Sequence, residues 1–256
     1  MEIKIDLKNN QKVYFLSDLH LGYPDYENSL QREKVVTTWL DSIKNEAHSI
    51  VFAGDVFDYW FEYRYVVPKY HIRFLGKIAE LYDMGISLYF FRGNHDMWCF
   101  DYLSKQFGAL ISRRPLIFNI NGQKIFAVHG DGLGPGDYSH KVLMKVFENK
   151  FLQYIYSKIH PDITFWLAQS WSYKSRMIHE KKENKFLGEK EWFWQYAMDV
   201  EKTIHHDYYV AGHRHLPMDM PVGDKSKYIN LGDWITHYSY AVYDGSTMSL
   251  CKYEPK

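Results

Sequence analysis

The chain has 256 residues, enough for one large α/β domain or for a domain that carries an insert. Its 31 basic and 31 acidic residues cancel, so no overall electrostatic field favours nucleic acid. Two distant cysteines argue against a disulfide framework, and no run of about 18 apolar residues predicts a membrane span. We therefore expect a cytoplasmic protein that does not bind nucleic acid.

Apolar runs alternate with helical periodicity along the first half of the chain. The patterns predict strands over 3–7, 13–17, 49–53 and 86–91, helices over 29–47, 68–84 and 97–107, and a hairpin of 117–120 with 124–128. Residues 138–204 show helical periodicity without a strand signal, and strands then resume at Tyr208, 227–231, 239–243 and 248–253. This order predicts one α/β domain over 1–256, built on a mixed sheet or on two packed sheets, with a helical insert over 138–204.

Five of the apolar runs end in side chains that bind metals. The run 49–53 ends in Gly54-Asp55, where glycine allows a sharp turn and the aspartate projects beyond the strand. The other four runs lead into Asp18-Leu19-His20, Gly93-Asn94-His95-Asp96, His129-Gly130-Asp131 and Gly212-His213-Arg214-His215. Open α/β sheets bind ligands outside the carboxyl ends of their strands, so this recurrence predicts one shared site.

The predicted site is a metal centre. Its candidate ligands are Asp18, His20, Asp55, Asn94, His129, His213 and His215. Carboxylate, amide and imidazole donors together suit Mn²⁺ first, with Fe²⁺, Zn²⁺ or Mg²⁺ as alternatives. Seven ligands exceed what one ion needs when positions stay open for water and substrate. Two ions that share a carboxylate fit better, and such pairs, about 3.5–4 Å apart, catalyse in-line hydrolysis. Each motif alone is also typical of an ordinary turn or of structural histidines.

The five motifs together resemble the signature of the calcineurin-like metallophosphoesterases, over nearly the whole chain. The resemblance implies an α+β sandwich of two mixed β-sheets packed together and flanked by helices. It also implies two ligand sets that share one carboxylate: Asp18, His20, Asp55 and His215, and Asp55, Asn94, His129 and His213. As a further implication, His95 steered by Asp96 would lie over the phosphoryl group as the catalytic acid or electrostatic stabiliser.

A narrower resemblance covers other stretches of the chain. Residues 54–60 and 129–133, the helical insert and Gly232-Asp233-Trp234 look like the lipid A biosynthesis enzymes that cleave the pyrophosphate of UDP-2,3-diacylglucosamine. This similarity implies release of UMP and 2,3-diacylglucosamine 1-phosphate, with the insert capping the acyl chains. The chain departs from that family at His95, where those enzymes carry arginine, although histidine is the commoner residue in the wider superfamily.

The insert combines large apolar and basic residues. They are Phe147, Phe151, Phe165, Trp166, Trp171, Trp192, Phe193, Trp194, Lys174, Arg176, Lys181 and Lys182. Packing against the main domain explains some of these aromatic residues, but two or three short helices do not need so many. We predict an apolar slot for acyl chains, cations near the phosphates, and peripheral contact with a membrane. The predicted substrate-binding residues are Asn94, His95, Asp131, Asp137, Arg176, Lys181 and His213.

Other functions remain open from the sequence. A phosphodiesterase or phosphomonoesterase for another small molecule would use the same metal centre. A protein phosphatase is disfavoured because residues 56–60 lack the Arg-Gly of that group, and neutral charge disfavours a nuclease. A scaffold that has lost catalysis would not need seven ligands together with His95. The oligomeric state is not predicted.

Overall fold

The computed structural model describes residues 1–135, 138–170, 172 and 185–255. The strands in these ranges are β1 (Glu2–Ile5), β2 (Lys12–Leu16), β3 (Ala47–Phe52), β4 (Ser87–Phe91), β5 (Leu110–Ser112), β6 (Leu116–Ile120), β7 (Gln123–Ala127), β8 (Tyr208–Ala211), β9 (Pro217–Val222), β10 (Ser226–Leu231), β11 (Ser239–Tyr243) and β12 (Met248–Lys252). The helices are α1 (Tyr26–Ile43), α2 (Ile72–Asp83), α3 (Tyr102–Phe107), α4 (Tyr138–Phe147), α5 (Lys150–Tyr156), α6 (161–170) and α7 (Trp192–Glu201), with a 3₁₀ turn at Gly188–Lys190.

Within the described ranges, the strands form two six-stranded sheets. One sheet has the order β1-β6-β7-β8-β10-β9, and the other has the order β12-β11-β2-β3-β4-β5. Strands β2, β3 and β4 are parallel neighbours, and so are β7 and β8. The pairs β6–β7, β9–β10 and β11–β12 are antiparallel. Both sheets are therefore mixed, which confirms the expected fold class.

Strand β3 shows how the layers are held together. Its side chains alternate: Ile50 and Phe52 belong to the apolar layer under the helices, which includes Trp39 of α1. Val51 faces the other way, into the layer between the sheets, where Phe118 of β6 also lies. A strand covered on both faces reads as a continuous apolar run. Helix α7 covers the outer face of the sheet that contains β7, β8, β9 and β10.

Two strands were not predicted from the sequence. Strand β5 has only three residues and lies at the edge of its sheet. Strand β9 contains Pro217 and Pro221 and lies at the edge of the other sheet. Proline lacks the N–H that a central strand must donate, so a strand of this composition is tolerated only at an edge. Neither segment has the long alternating pattern on which strand prediction depends.

The described part of 138–204 is helical, apart from turns and the 3₁₀ segment. The division of the chain into one domain with a cap over exactly these bounds stays a prediction. No helix in the described ranges is both long enough and apolar enough to cross a membrane.

Glu201 connects the end of α7 to the sheet that contains β8 and β10. Its carboxylate accepts hydrogen bonds from the Tyr209 hydroxyl at 2.7 Å, the Ser226 hydroxyl at 2.9 Å and the His206 N–H at 3.1 Å. Burial opposes the charged form, but the hydrogen bonds from His205 and Tyr209 outweigh it and lower the pKa of Glu201 to about 2. The ionised carboxylate therefore stabilises the folded chain.

We expect Glu201→Ala to lower the free energy of unfolding by about 2 kcal/mol at neutral pH, because hydrogen bonds to a charged group are lost. Because the pKa of Glu201 is lower in the folded state, its ionised carboxylate stabilises the folded chain at pH values above the unfolded-state pKa of about 4.5. This stabilisation is lost as the pH falls toward 2. The difference between wild type and variant should therefore shrink over that range in denaturant titrations. Asp199→Ala on the same helix, whose exposed carboxylate pairs with Lys202, is the matched control and should change stability by less than about 1 kcal/mol. Equal stability of Glu201→Ala and wild type would contradict this account.

Candidate metal centre

The predicted ligands follow strands of both sheets at one end of the sandwich. Asp18 and His20 follow β2, Asp55 follows β3, and Asn94 follows β4, while His129, His213 and His215 follow β7 and β8. Two hydrogen bonds connect these loops. The His213 N–H donates to Asp18 Oδ2 at 2.9 Å, and the His95 N–H donates to Asp55 Oδ1 at 2.9 Å. The structure therefore brings all seven predicted ligands to one place.

Most of the ligands have a left-handed backbone. The φ angles lie between 43° and 69° at Asp18, His20, Asp55, His213 and His215. Residues other than glycine adopt this region rarely, and each instance costs free energy that the surrounding structure must offset. At these positions the backbone turns sharply after each strand, which places the side chains at the shared edge.

The first ligand set surrounds Asp18. His215 Nε2 lies 3.2 Å from Asp18 Oδ1 and 3.0 Å from His20 Nε2. His20 Nε2 lies 3.6 Å from Asp18 Oδ1 and 3.8 Å from Asp55 Oδ2. Ligand atoms of Asp18, His20 and His215 all lie within 4.8 Å of one another, a spacing that one ion can bridge.

The second ligand set surrounds His129. Its Nε2 lies 3.3 Å from Asp55 Oδ2 and 3.2 Å from Asn94 Oδ1. His213 joins Asp55 and His129 in a group whose ligand atoms lie within 4.8 Å of one another. His129 Nδ1 lies 2.8 Å from the Ala53 carbonyl oxygen. Because only a protonated Nδ1 can donate to that oxygen, Nε2 keeps the lone pair that a metal ion needs.

Local features of the chain fit divalent ions at these positions. Asp18 Oδ1 is buried and accepts no well-aligned hydrogen bond in the described part of the chain, and the group that approaches it is His215 Nε2, at 3.2 Å. A buried carboxylate oxygen needs a cation or a donor, and a metal ion supplies the former. A Cβ atom on Gly212 would lie 2.5 Å from Asp18 Oδ2, and one on Gly93 would collide with Asp55 Oδ1. Only glycine lets the backbone approach the carboxylates this closely.

The electrostatics also favour cations. Burial opposes ionisation of Asp55, but His129 and His95 outweigh it and hold the pKa of Asp55 well below its usual range. Burial likewise disfavours the charged form of His129, yet the carboxylates of Asp55 and Asp18 raise the pKa of His129 to about 10. The negative potential that would draw a proton to His129 draws a divalent cation to the same position.

The steering of His95 differs from the expectation. Asp96 was expected to orient His95, but its carboxylate accepts from the Gly93 and Val56 N–H groups, both at 2.8 Å. Asp96 therefore shapes the backbone around the site. The side chain beside His95 is Asp58: its Oδ1 lies 3.5 Å from His95 Nδ1, and its carbonyl oxygen lies 3.1 Å from the same nitrogen.

Asp58 lies at the candidate site and was not predicted from the sequence. Its Oδ1 also lies 3.3 Å from His20 Nδ1, and its Oδ2 accepts from the Ser172 hydroxyl at 3.0 Å. One buried carboxylate thus contacts a predicted metal ligand, the predicted acid and the helical segment. The sequence feature that could have identified Asp58 is its position three residues after Asp55, in the loop that follows β3.

Several predicted substrate-binding residues have other surroundings. Asp131 forms a bidentate ion pair with Arg113, with N···O distances of 2.5 and 2.6 Å, so its carboxylate is already paired. Its role toward substrate stays a prediction. Asp137, Arg176 and Lys181 lie outside the described residues, as do Trp171, Lys174 and Lys182.

Arg214, between the two ligand histidines of the last loop, was also not predicted. Its guanidinium forms a bidentate pair with Glu191, at 2.8 and 3.0 Å. The Glu191 side chain is 1% exposed, and the residue directly precedes α7 at its N-cap position. This pair ties the loop that carries His213 and His215 to the helical segment.

A cavity of about 220 Å³ opens beside the predicted ligands. Six of its lining residues are Asn94, His95, Leu143, Met144, Phe147 and Leu167. We call it the apolar cavity. Its polar end is formed by Asn94 and His95, and its apolar walls come from α4 and α6. The predicted substrate-binding pair Asn94 and His95 thus lies where an apolar cavity meets the ligand cluster.

Comparison with known proteins agrees with this geometry. Residues 11–217 match the model of the calcineurin-like phosphoesterase family. A UDP-2,3-diacylglucosamine hydrolase from Porphyromonas gingivalis is 40% identical over 260 residues, covering 93% of this chain and 96% of that protein. Proteins of the same name from Vibrio atlanticus and Aliivibrio fischeri are each 26% identical, covering 93% and 95% of this chain and 96% and 99% of theirs.

The shared carboxylate can be tested by substitution. Asp55→Asn removes one negative charge from between the two ligand sets, so we expect loss of bound metal together with loss of turnover. His129→Ala removes a ligand from only one of the two ligand sets and should therefore lose less metal than Asp55→Asn. Metal content by mass spectrometry and turnover of bis-p-nitrophenyl phosphate measure the two effects. Full metal occupancy with near-normal turnover in Asp55→Asn would contradict two ions sharing this residue.

The link between His95 and Asp58 predicts non-additive effects. We expect His95→Ala to keep its metal and to lower turnover by about 10²–10⁴-fold, as for a removed acid. Asp58→Ala should lower turnover in the wild-type background but add little to His95→Ala, because it acts largely through that ring. Asp101→Ala, whose carboxylate pairs with Lys105 at the surface, is the control. Metal loss in His95→Ala equal to its loss of rate would instead make His95 a ligand.

Proposed function

Because this chain belongs to the calcineurin-like phosphoesterase family and is therefore a hydrolase, we propose that it cleaves the pyrophosphate of UDP-2,3-diacylglucosamine. The products are UMP and 2,3-diacylglucosamine 1-phosphate. The observation that carries this proposal is the apolar cavity, which begins at Asn94 and His95 beside the ligand cluster and continues along α4 and α6. A lipid-linked phosphate substrate needs this combination of a polar end and apolar walls.

Two divalent ions would be held by the two ligand sets, with Asp55 in both. The mixture of carboxylate, amide and imidazole donors suits Mn²⁺, and Fe²⁺, Zn²⁺ and Mg²⁺ are the alternatives. When bound, the ions supply Lewis acidity to the phosphoryl oxygens and lower the pKa of water. The buried Asp18 carboxylate, with imidazole nitrogens of His215 and His20 within 3.2 and 3.6 Å of Oδ1, and the ionised Asp55 support this assignment.

His95 acts on the leaving group in this proposal. Its Nδ1–H donates to the Asp58 carbonyl oxygen at 3.1 Å, so Nε2 is the nitrogen that can pass a proton. As water attacks the uridine-linked phosphorus, it releases one proton to solvent, the bond to the bridging oxygen breaks, and His95 gives its proton to the departing sugar phosphate. The Asp58 carboxylate, 3.5 Å from Nδ1, stabilises the protonated ring before transfer.

The apolar cavity holds acyl chain in this proposal. Leu143, Met144 and Phe147 of α4 and Leu167 of α6 give it methyl, thioether and phenyl surface. Each buried methylene contributes about 0.8 kcal/mol, so a few carbons of acyl chain outweigh most single polar contacts. The chain length therefore governs affinity for the substrate.

Helices α5 and α6 also offer a surface for membrane contact. Tyr154, Ile163 and Trp166 are 61%, 52% and 65% exposed, a set of large apolar side chains open to solvent. Aromatic and aliphatic side chains of this kind insert at the boundary between head groups and acyl chains. We place the protein in the cytoplasm, in peripheral contact with the membrane that supplies the lipid. Both cysteines are free, which suits a reducing compartment.

The substrate is tested by incubating the purified protein with UDP-2,3-diacylglucosamine and following UMP release. We expect KM to rise steeply as the acyl chains are shortened, because apolar contact is lost. Phe147→Ala, in the cavity wall, should raise KM for the long-chain substrate by about tenfold, the effect of losing 1–2 kcal/mol of apolar contact. No cleavage, or cleavage no better than that of UDP-glucosamine without acyl chains, would leave only a phosphoesterase for another small molecule.

Two further variants distinguish binding in the apolar cavity from membrane contact through the exposed helical surface. Phe151→Ala removes a ring of the same type that is 69% exposed and should leave KM for detergent-dispersed substrate near the wild-type value. Trp166→Ser should likewise keep that KM but weaken sedimentation with anionic lipid vesicles. Vesicle binding that Trp166→Ser leaves intact would contradict membrane contact through this surface.

A further inference from the structure

A second cavity, of about 150 Å³, lies on another side of Asp58. Six of its lining residues are Tyr26, Glu33, Tyr70, His71, Phe165 and Gln169. We call it the aromatic cavity. It shares Asp58 and Tyr59 with the apolar cavity, so these two residues separate the two spaces. Apart from Asp58, none of its lining residues belongs to the ligand sets or takes part in the proton transfer described above.

Aromatic rings form much of its wall. The ring centroids of Tyr26 and Tyr70 are 5.7 Å apart, and those of Tyr70 and Phe165 are 5.9 Å apart. Phe165 continues the series to Tyr59, at 5.7 Å. These rings come from the start of α1, the segment before α2, the loop after β3 and α6. Walls of this kind favour a flat ligand that stacks against them.

The remaining wall is polar but carries no positive charge among its described residues. Glu33 and Asp58 contribute carboxylates, and both are more than nine-tenths buried. Burial lowers the pKa of His71 to about 4, so this ring is neutral at pH 7 and offers one donor and one acceptor. The exposed Gln169 adds an amide with both kinds of group. The wall therefore disfavours a phosphate, and its buried polar groups disfavour an acyl chain.

The size fits one six-membered ring. An engineered protein cavity of about 150 Å³ accepts benzene, and a pyrimidine has the same ring size. The position fits as well, because Asp58 Oδ1 lies 3.3 Å from Nδ1 of the ligand His20. A ring in the aromatic cavity is thus one side chain away from the metal centre, within the reach of a ribose phosphate.

From these observations we propose that the aromatic cavity binds the pyrimidine base of the nucleotide, while the apolar cavity receives acyl chain. The inference rests on the proposed function, since it assigns the nucleotide end of the same substrate. Tyr70 and Phe165 stack on the base, and His71 and Gln169 offer hydrogen bonds to its polar edge. Specificity for the nucleotide then comes from α1, α6 and the segment before α2.

The test compares two competitive inhibitors, UMP and ribose 5-phosphate, which share the phosphate and sugar but differ in the base. With bis-p-nitrophenyl phosphate as the reporter substrate, we expect wild-type protein to bind UMP about tenfold more tightly, the size of one stacked base. Tyr70→Ala should remove most of this preference. Gln169→Leu should reduce it without removing a ring, and it provides a second variant should Tyr70→Ala fold poorly. Tyr65→Ala, on the same segment but 84% exposed, is the matched control and should keep the wild-type preference.

The outcomes separate this inference from the proposed function. Cleavage of UDP-2,3-diacylglucosamine together with equal inhibition by UMP and ribose 5-phosphate would overturn the base site and leave the function standing. A preference for UMP that Tyr70→Ala abolishes, without cleavage of the lipid nucleotide, would support the base site and overturn the function. If Tyr70→Ala instead changes the dependence of KM on acyl length, the cavity holds acyl chain and the inference is wrong.

Discussion

Two buried carboxylates impose the main constraint on this structure. Asp18 and Asp55 follow neighbouring parallel strands and are 0% and 1% exposed. Burying two anions side by side costs free energy unless each is paired. Backbone N–H groups of His213 and His95 supply part of that pairing, and these groups come from different sheets. The proposed divalent ions supply the rest. The need to satisfy these carboxylates therefore holds the loops of both sheets together.

Asp58 extends this arrangement outward from the ligands. It contacts His20 and His95 on the side of the metal centre and Ser172 on the side of the helical segment. It also borders both cavities. The substrate that we propose has two unlike ends, one a nucleotide and one carrying acyl chains. Two cavities of unlike chemistry on either side of one carboxylate match those ends, and the proposed position of the pyrophosphate is between them, at the predicted ligands.

The fold was largely predictable because its central strands are buried on both faces. A continuous apolar run such as Ser49 to Ala53 can be recognised without knowing its neighbours. The edge strands β5 and β9 could not be recognised, because they are short or contain proline and gain their structure from one neighbouring strand. Likewise, no local sequence pattern predicts which strands from distant parts of the chain pair with each other, such as β2 with β11.

The sequence by itself determined which side chains meet at the site: seven predicted ligands, each placed shortly after an apolar run, and His95 beside them. That information is local, because the type of residue and its distance from a strand end are both readable along the chain. Only the tertiary structure decided that Asp58, rather than Asp96, lies beside His95, and that Asp131 is paired with Arg113. It alone decided where the cavities lie. The physical reason is that such contacts join residues far apart in sequence, and a carboxylate's partner depends on which backbone turns bring it within hydrogen-bonding distance.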